Sequence, residues 1–206
     1  MKSDTALSES LLAITSSFHD ASNIEETMHA ANADLCHAFE AERITLYLVG
    51  DDGSHLYSGD ATGIEKRRRI KLSLNLTSVA GYVALVRKVV NIRNAYDEKE
   101  LSALQPPMTF LGGADAKTGF HTREMLVAPV LDASSGRLLG VLQILNRLDC
   151  QPFPKVCEDA IVELCKALAP PLARLAKQRE EERRANKMRA LEALRIEKER
   201  EEAADG

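Results

Sequence analysis

The chain has 206 residues, of which 45% are hydrophobic and 28% are charged, so it contains enough apolar material for a core and is not wholly disordered. Its length fits one domain with an appendage. The net charge of −4 at pH 7 leaves no surplus of Lys and Arg, which argues against nucleic acid as a partner.

The four cysteines, Cys36, Cys150, Cys157 and Cys165, form no CxxC pair. The polar opening MKSDTALSES lacks the apolar region of a secretory leader, and no stretch reaches the roughly 18 apolar residues of a membrane span. We therefore expect a cytoplasmic protein with free thiols, in which Cys157 and Cys165 are small core residues of one helix. The basic run Arg67–Arg69 is expected to be the solvated start of a strand.

Two amphipathic helices are predicted at the start of the chain. In Leu7–Phe18, apolar residues at positions 7, 11, 14 and 18 share one helical face. Asn23 is the predicted N-cap of the second helix, which ends near Glu40, and Glu26 is expected to complete a capping box. The inward-facing residues of this helix are expected to be Ile24, Met28, Ala31, Leu35 and Phe39.

Three strands and a short helix are expected next. β-branched and aromatic residues favour a strand at Arg43–Val49, which ends at the turn sequence GDDG. Two more strands are predicted at His55–Ala61 and at Arg69–Leu76, where polar and apolar residues alternate and indicate one wetted and one buried face. A hydroxyl at Thr77 or Ser78 is predicted to cap the helix that follows.

The segment Asn94–His121 is long and has little periodicity. Its turn-forming residues are Pro106, Pro107, Gly112, Gly113 and Gly119. A loop of this length inside a compact domain is usually functional. We expect it to cover a ligand and to contain a short helix at Asp97–Leu104.

An apolar strand pair and a closing helix are predicted after this segment. Arg123–Leu131 and Leu138–Leu145 are joined by the turn-forming sequence DASSGR. The closing helix begins at about Pro154, and the pair Pro170–Pro171 is expected to kink or break it. The order of elements predicts an α+β fold, in which a mostly antiparallel sheet of about six strands is flanked by N- and C-terminal helices.

The composition changes after Lys177, where about half of the residues are charged. Pairs such as Glu180 and Arg184 support a solvated helix, but Met188, Leu191 and Leu194 do not continue into a clean heptad. We therefore divide the chain into a domain over residues 1–176 and a charged helical tail or linker over 177–206. Within the domain, helices are expected at about 3–40, the sheet and ligand loop at 41–150, and the closing helix from 154.

The predicted helix start at Ser78, Val79 and Ala80 is a candidate ligand contact. Unpaired N–H groups and the helix dipole there can hold an anionic or carbonyl-bearing group, and the alternative is that the hydroxyl of Ser78 only caps its helix. The sequence does not favour one over the other.

Three kinds of chemistry are not favoured by the sequence. The run GGADAKTG contains Lys117 and Thr118, but Leu111 and Ala116 stand where a phosphate-binding loop needs glycine. No His and Cys positions combine with carboxylates into a convincing metal site, and no GxSxG or Cys–His arrangement indicates a nucleophile. We expect no metal, no certain cofactor and no catalytic residues.

Three runs resemble GAF domains, the sensory domains of phosphodiesterases, cyclases, phytochromes and many bacterial signalling proteins. In the family's usual order, they are SVAGYVALVRKVVNIRNAYD (Ser78–Asp97), DAKTGFHTREMLVAPVLD (Asp115–Asp132) and GRLLGVLQILNR (Gly136–Arg147). The similarity spans about residues 8–176, and its style is that of bacterial GAF domains that precede type II/IV secretion ATPases. With the covering loop, it suggests a pocket formed by Ser78, Val79, Ala80, Asp115, Lys117, Thr118, Phe120 and Arg123.

The cyclic-nucleotide-binding branch of the family carries an N-K-x(n)-F-x-x-x-D-E pattern that braces the pocket. This chain matches it with Asn146, Arg147, Phe153 and Glu158, whereas Cys157 stands at the position of the Asp. The resemblance therefore implies a brace in which Arg147 pairs with Glu158 or Asp159. A cyclic nucleotide is the ligand that this branch suggests.

The resemblance implies a non-catalytic regulatory module that binds a small molecule and passes the change to a partner through its terminal helices. It also implies a homodimer through these helices and a downstream effector, in trans or fused. One alternative is a GAF dimerisation scaffold without a ligand. Another is a free methionine sulfoxide reductase, but the reductases of the family use cysteines in the loops over the pocket, and Asn94–His121 contains none.

Overall fold

The computed structural model describes residues 4–19, 21, 23–58 and 71–204. The helices in these ranges are α1 (Asp4–His19), α2 (Ile24–Phe39), α3 (Val79–Val86), α4 (Glu98–Ser102), α5 (Gly113–Thr118) and α6 (Lys155–Ala204). The strands are β1 (Ala41–Val49), β2 (His55–Ser58), β3 (Lys71–Ser73), β4 (Val90–Ile92), β5 (Met125–Leu131) and β6 (Leu138–Arg147). No helix in these ranges has both the length and the apolar character needed to span a membrane.

The six strands form one antiparallel sheet in the order β3-β2-β1-β6-β5-β4. Strand β6 is buried along its whole length, as its apolar sequence requires at the centre of a sheet. It pairs with β1 on one side and with β5 on the other, and Thr45 lies opposite Gln143 in the first pairing. The predicted α+β architecture with about six strands is confirmed.

Each face of the sheet has its own core because side chains alternate along a strand. On β1, Ile44, Leu46 and Leu48 belong to a core shared with α1, α2 and α6, and we call this side the terminal-helix face. Tyr47 belongs to a second core that contains α3, and we call this side the α3 face. Arg43 and Thr45 alternate with the first set and therefore lie on the α3 face.

The first two helices form as their sequences predict. The side chain of Asn23 accepts hydrogen bonds from the backbone N–H groups of Glu25 and Glu26, which makes Asn23 the N-cap of α2. All five residues expected to face inward from α2 are buried, and so are the four apolar residues predicted for one face of α1. Both helices therefore cover the sheet with the faces that the 3.6-residue period selects.

The long helix α6 departs from the prediction at Pro170 and Pro171. Of the predicted kink or break, the break is wrong, because the helix runs from Lys155 to Ala204 without interruption. Each proline removes one backbone hydrogen bond, but their neighbours Leu168 and Leu172 are almost completely buried in the terminal-helix core. Their burial holds this stretch of α6 on the sheet.

Burial falls along α6 while the helix itself continues, and the division of the chain at residue 177 stays a prediction. Leu172 is 2% exposed, whereas Met188 is 66% and Leu194 is 62% exposed on the same helix. Ion pairs one turn apart, such as Lys177–Glu181 and Arg184–Glu180, connect the side chains of this exposed part.

The strands around β3 are only partly as predicted. The basic run at 67–69, the end of the predicted strand at 59–61 and the start of the next at 69–70 lie outside the described residues. Leu74 and Leu76 do not continue β3, because the backbone here turns and the carbonyl of Leu76 accepts a hydrogen bond from the N–H of Thr109. Their side chains nevertheless pack against the α3-face core.

Candidate functional site

The middle of the α3 face carries polar side chains where apolar ones would suffice for a core. They are Arg43, Thr45 and Tyr47 on β1 and Gln143 on β6, and we call this set the polar strip. Thr45 is 2% exposed, Tyr47 5% and Gln143 8%. Burying polar groups costs free energy unless they are hydrogen-bonded, and the side chains of Tyr47 and Gln143 are hydrogen-bonded to each other.

Tyr47 is an almost completely buried member of the polar strip. Burial raises the pKa of its hydroxyl to about 12, against the opposing effects of the charge on Arg43 and a hydrogen bond with the Gln143 side chain. The hydroxyl is therefore neutral at physiological pH. It is available as both a hydrogen-bond donor and an acceptor.

Arg43 lies at the start of the polar strip and is half-buried. Its guanidinium carbon lies 3.9 Å from the centre of the Phe120 ring, which is a cation–π contact. Phe120 also packs against the α3-face core. A residue predicted for the pocket, Phe120, is thus brought to the polar strip.

Residues 94–121, which we call the covering segment, contain α4 and α5 and are held together around Asp115. Its carboxylate accepts hydrogen bonds from the Tyr96 hydroxyl (2.8 Å), the backbone N–H of Thr122 (2.7 Å) and the Thr122 hydroxyl (2.8 Å). The Tyr96 ring also stacks on His121 and meets Phe110 edge-on. The hydrogen bond to Asp115 raises the pKa of Tyr96. Both oxygens of Asp115 thus brace the covering segment.

Of the two hydroxyl residues that the sequence offers as the cap of α3, Thr77 and Ser78, it is Ser78 that makes the capping hydrogen bond. The hydroxyl of Ser78 accepts a hydrogen bond from the N–H of Gly81 at 3.1 Å. Val79 and Ala80 are each 1% exposed. A side chain at Gly81 would meet the carbonyl of Ser73 at 2.7 Å, so only glycine lets α3 lie this close to β3. A ligand contact at this helix start stays a prediction.

Asn146 joins three parts of the chain below the polar strip. Its side-chain amide nitrogen donates to Glu42 and to the carbonyl of His121, each at 2.9 Å, and its oxygen accepts from the N–H of Arg123 at 2.7 Å. Asn146 is completely buried and has a left-handed backbone with a φ of 55°. This contact set ties the end of the covering segment to β1 and β6.

Arg123 and Glu42 form an ion pair beside Asn146, with 2.8 Å between Nη2 and Oε1. Burial opposes ionisation of Glu42, but hydrogen bonds from Asn146 and Arg123 lower the pKa of its carboxyl. The guanidinium of Arg123, which was predicted for the pocket, is therefore paired with the carboxylate of Glu42.

The predicted pairing of Arg147 with Glu158 or Asp159 is wrong. The Arg147 guanidinium donates to Asp149 at 2.7 Å and to the carbonyl of Pro152 at 3.0 Å, and it lies 3.5 Å from Glu40. The turn after β6 brings Asp149 back towards Arg147, so the nearest carboxylate is local.

The remaining bracing residues contact β4. Glu158 accepts a hydrogen bond from the amide of Asn91 at 2.8 Å, and the same amide donates to the carbonyl of Phe153. Phe153 itself is buried in the terminal-helix core. The four residues of the predicted brace thus make separate contacts. Asn146 contacts the covering segment, Arg147 contacts the turn after β6, and Phe153 and Glu158 contact β4.

Two of the predicted pocket residues have side chains outside the described part of the structure. Lys117 and Thr118 lie in α5, but their side chains are outside the described residues. The described ranges contain no group of three His, Cys, Asp or Glu side chains that could hold a metal ion.

The cysteines lie away from the polar strip. Cys157 and Cys165 are buried in the terminal-helix core, Cys36 packs against that core, and Cys150 is exposed after β6. Burial raises the pKa of the Cys165 and Cys36 thiols, which keeps them protonated and unreactive.

A surface groove lies elsewhere, at the point where α6 leaves the sheet. It is lined by Leu48 and Leu139 from the sheet and by Leu172, Arg179 and Arg183 from α6. None of the predicted pocket or bracing residues lines this groove. The candidate site is therefore the polar strip and its cover.

The polar strip is what sequence reasoning missed. Arg43, Thr45 and Tyr47 stand at alternate positions in RITLYLV, and Gln143 interrupts the apolar run LLGVLQIL. The period of two was available in the sequence, but the strand was interpreted only as an architectural element. That β1 and β6 are neighbours, which places Thr45 opposite Gln143, follows from tertiary structure alone.

Comparisons with known proteins agree with this fold. A family model described as GAF domain matches residues 23–173. A probable 3',5'-cyclic phosphodiesterase of Caenorhabditis elegans is 28% identical over an alignment of 166 residues that covers 75% of this chain and 21% of that protein. The chain thus spans about a fifth of the length of that relative.

Two solved structures share the fold at low sequence identity. The GAF domain of a phosphoenolpyruvate-protein phosphotransferase from Coxiella burnetii has a TM-score of 0.67 and 20% identity, covering 86% of this chain and 98% of that one. A free methionine-R-sulfoxide reductase from Neisseria meningitidis, solved with its substrate, has a TM-score of 0.62 and 20% identity, covering 87% and 96%. At this identity the likeness shows the fold alone.

Proposed function

Because this chain belongs to the GAF domain family, we propose that it is a regulatory module that binds a small molecule on the α3 face of its sheet. The observation that carries this proposal is the polar strip. Four polar side chains lie side by side in the middle of that face, three of them almost completely buried. Ligand sites are mostly apolar with a few convergent polar groups, and the α3 face has this composition.

A cyclic nucleotide is the first ligand to test. The curated relative is a phosphodiesterase of 3',5'-cyclic nucleotides by its name, and this chain carries part of the pattern of the cyclic-nucleotide branch. The polar strip offers hydroxyl and amide groups that can hydrogen-bond both the edge of a base and a ribose.

The cover over the α3 face supports a mechanism of opening and closing. The α3-face core includes Met108, and Phe110 and Phe120 of the covering segment pack against it. A ligand would displace some of these side chains and then be enclosed by them. Binding would shift the population of two arrangements of the covering segment, which requires a different affinity for each and no bond chemistry.

We propose that the change reaches a partner through the terminal helices. α6 packs on β5 and β6 and extends well beyond the domain, so a movement of the sheet would change its direction. A homodimer through α1 and α6, in the reducing cytoplasm, is the assembly that we propose. The partner would be an effector in trans or in the same larger protein.

Thermal unfolding with cyclic AMP and cyclic GMP tests the ligand proposal. A ligand at 100 times its Kd stabilises a protein by about 2.7 kcal/mol, which shifts the melting temperature by several degrees. Gln143→Leu should abolish that shift, while Gln151→Leu, at an exposed position after β6, should retain it. A melting temperature that stays constant with both nucleotides contradicts the cyclic-nucleotide proposal.

A dimerisation scaffold without a ligand is the second candidate. It is favoured by the density of the α3-face core, in which Val83, Val127, Val141 and others are completely buried by the protein's own side chains. Failure of a diverse metabolite set to bind, together with a dimer that persists when Gln143 is replaced by Leu, would favour the scaffold over the sensor.

A further inference from the structure

We propose that Arg43 recognises a negatively charged oxygen group, a phosphate or a carboxylate, of the ligand that binds the polar strip. This inference rests on the proposed function, because it assumes that the α3 face is where the ligand lies. It adds the chemical class of the ligand and the residue that selects it.

Among the described residues, no carboxylate forms an ion pair with Arg43, although its charge helps to lower the pKa of the neighbouring Glu42. The adjacent carboxylate of Glu42 is already held by Arg123 at 2.8 Å and by Asn146 at 2.9 Å. Among the residues that the structure describes, Arg43 has no carboxylate within ion-pair distance, and its recorded contact is the ring of Phe120. A half-buried guanidinium without an anion is costly, so the site favours an anion from outside.

The contact with Phe120 leaves the hydrogen-bonding edge of Arg43 free for such an anion. The ring packs against the guanidinium at 3.9 Å from its centre, whereas the five N–H donors of arginine point outward in the guanidinium plane. Stacking fixes the plane in advance, which reduces the entropy lost when two N–H groups bind two oxygens of one anion. Phosphate and carboxylate both offer that pair of oxygens.

The position of Arg43 fits one end of a small molecule. Arg43, Thr45 and Tyr47 occupy every second position of β1, so the first lies four steps along the strand from the last, or about 13 Å. The cation lies at one end and the neutral hydroxyl of Tyr47 lies at the other. A ligand with an anionic group at one end and a neutral polar part at the other matches this order.

The test compares charged and uncharged probes on wild type, Arg43→Gln and Arg43→Lys. Arg189→Gln, on the exposed part of α6, is the control for the change in net charge. Cyclic AMP and cyclic GMP are titrated beside adenosine and guanosine by calorimetry. Inorganic phosphate and acetate are titrated separately at constant ionic strength, with thermal stability as the readout, and these two probes distinguish a phosphate from a carboxylate ligand.

We expect Arg43→Gln to weaken binding of the charged probes by about tenfold to a hundredfold, the usual contribution of hydrogen bonds to an ion. Binding of the uncharged nucleosides should change less than threefold. Arg43→Lys, which retains the charge without the planar fork, should lie between wild type and Arg43→Gln and also guards against misfolding of the latter. Arg189→Gln should behave as wild type.

Failure of this inference is distinct from failure of the proposed function. If neither cyclic nucleotide binds but phosphate or acetate stabilises wild type and not Arg43→Gln, the anion site stands and the nucleotide proposal fails. If a charged probe binds wild type and Arg43→Gln equally, or if no anion binds or stabilises wild type, Arg43 is not the anion-recognising residue.

Discussion

The two faces of the sheet are made by the same strands but differ in what they bury. On the terminal-helix face, β1 contributes Ile44, Leu46 and Leu48, and the helices pack aliphatic and aromatic side chains against them. On the α3 face, the same strand contributes Arg43, Thr45 and Tyr47. The first face is mostly apolar, and its buried polar side chain Asn32 donates a hydrogen bond to the carbonyl of Ile44 on β1. The second gives up some apolar burial to hold polar groups, and we propose that these groups bind a ligand.

The largest expected effect is on the terminal-helix face. Leu164→Ala should lower the free energy of unfolding by about 3 kcal/mol, because Leu164 is completely buried and its truncation leaves a cavity. Urea denaturation measures this. Leu194→Ala, at an exposed position of the same helix, is the control, and an equal loss in both variants would contradict a division of α6 into packed and solvated parts.

A smaller effect is expected at Asn146, between the two faces. Asn146→Ala should cost about 2 to 3 kcal/mol, because it removes three hydrogen bonds and leaves buried groups unpaired. Asn146→Gly removes the same side chain but suits the φ of 55°, so it should be about 1 kcal/mol less destabilising. Equal losses in the two variants would show that the left-handed backbone contributes nothing.

The cover of the α3 face should respond to Asp115→Asn at a cost of about 1 kcal/mol. The amide cannot accept all three hydrogen bonds that the carboxylate accepts from Tyr96 and Thr122. Hydrogen exchange should become faster at the amides of Thr109 and Leu111 and stay unchanged in β6. Asp34→Asn, exposed on α2, is the control, and uniform acceleration across the sheet would contradict a local role in the covering segment.

The smallest effect concerns acid. The pKa of Glu42 is lower in the folded protein than its ordinary value of 4.5, so its contribution to stability is fully present above pH 4.5. That contribution is lost as the pH falls through the folded pKa. Glu42→Gln should therefore flatten part of the fall in stability below pH 4.5, measured by urea denaturation at several pH values. An unchanged slope would show that ionised Glu42 contributes nothing to stability through its pair with Arg123.

Much of the architecture could be predicted from local patterns. The periods of α1 and α2, the cap at Asn23 and the apolar strands β5 and β6 all follow from neighbouring residues, and the structure confirms them. The candidate site was less predictable. Asp115 and Arg123 were predicted for the pocket from the resemblance to GAF domains and the covering loop, but their side chains are engaged by Thr122 and Glu42.

Two features show where local reasoning ended. Pro170 and Pro171 predict a break in any isolated helix, yet α6 continues, because apolar neighbours on both sides of the pair are buried against the sheet. Arg147 was assigned a partner by its place in a motif, whereas the turn after β6 brings Asp149 within 2.7 Å. Both outcomes depend on which groups meet in space.

The amino-acid sequence by itself determined that this chain has amphipathic helices at both ends, a largely apolar antiparallel sheet and a long segment of little periodicity, because each depends on the period or composition of a short stretch. Only the tertiary structure decided that Thr45 lies beside Gln143 and that Arg43 lies against Phe120 without a carboxylate partner among the described residues. Those relations join residues about 75 to 100 positions apart, and strand pairing across the sheet, which no local pattern encodes, brings them together.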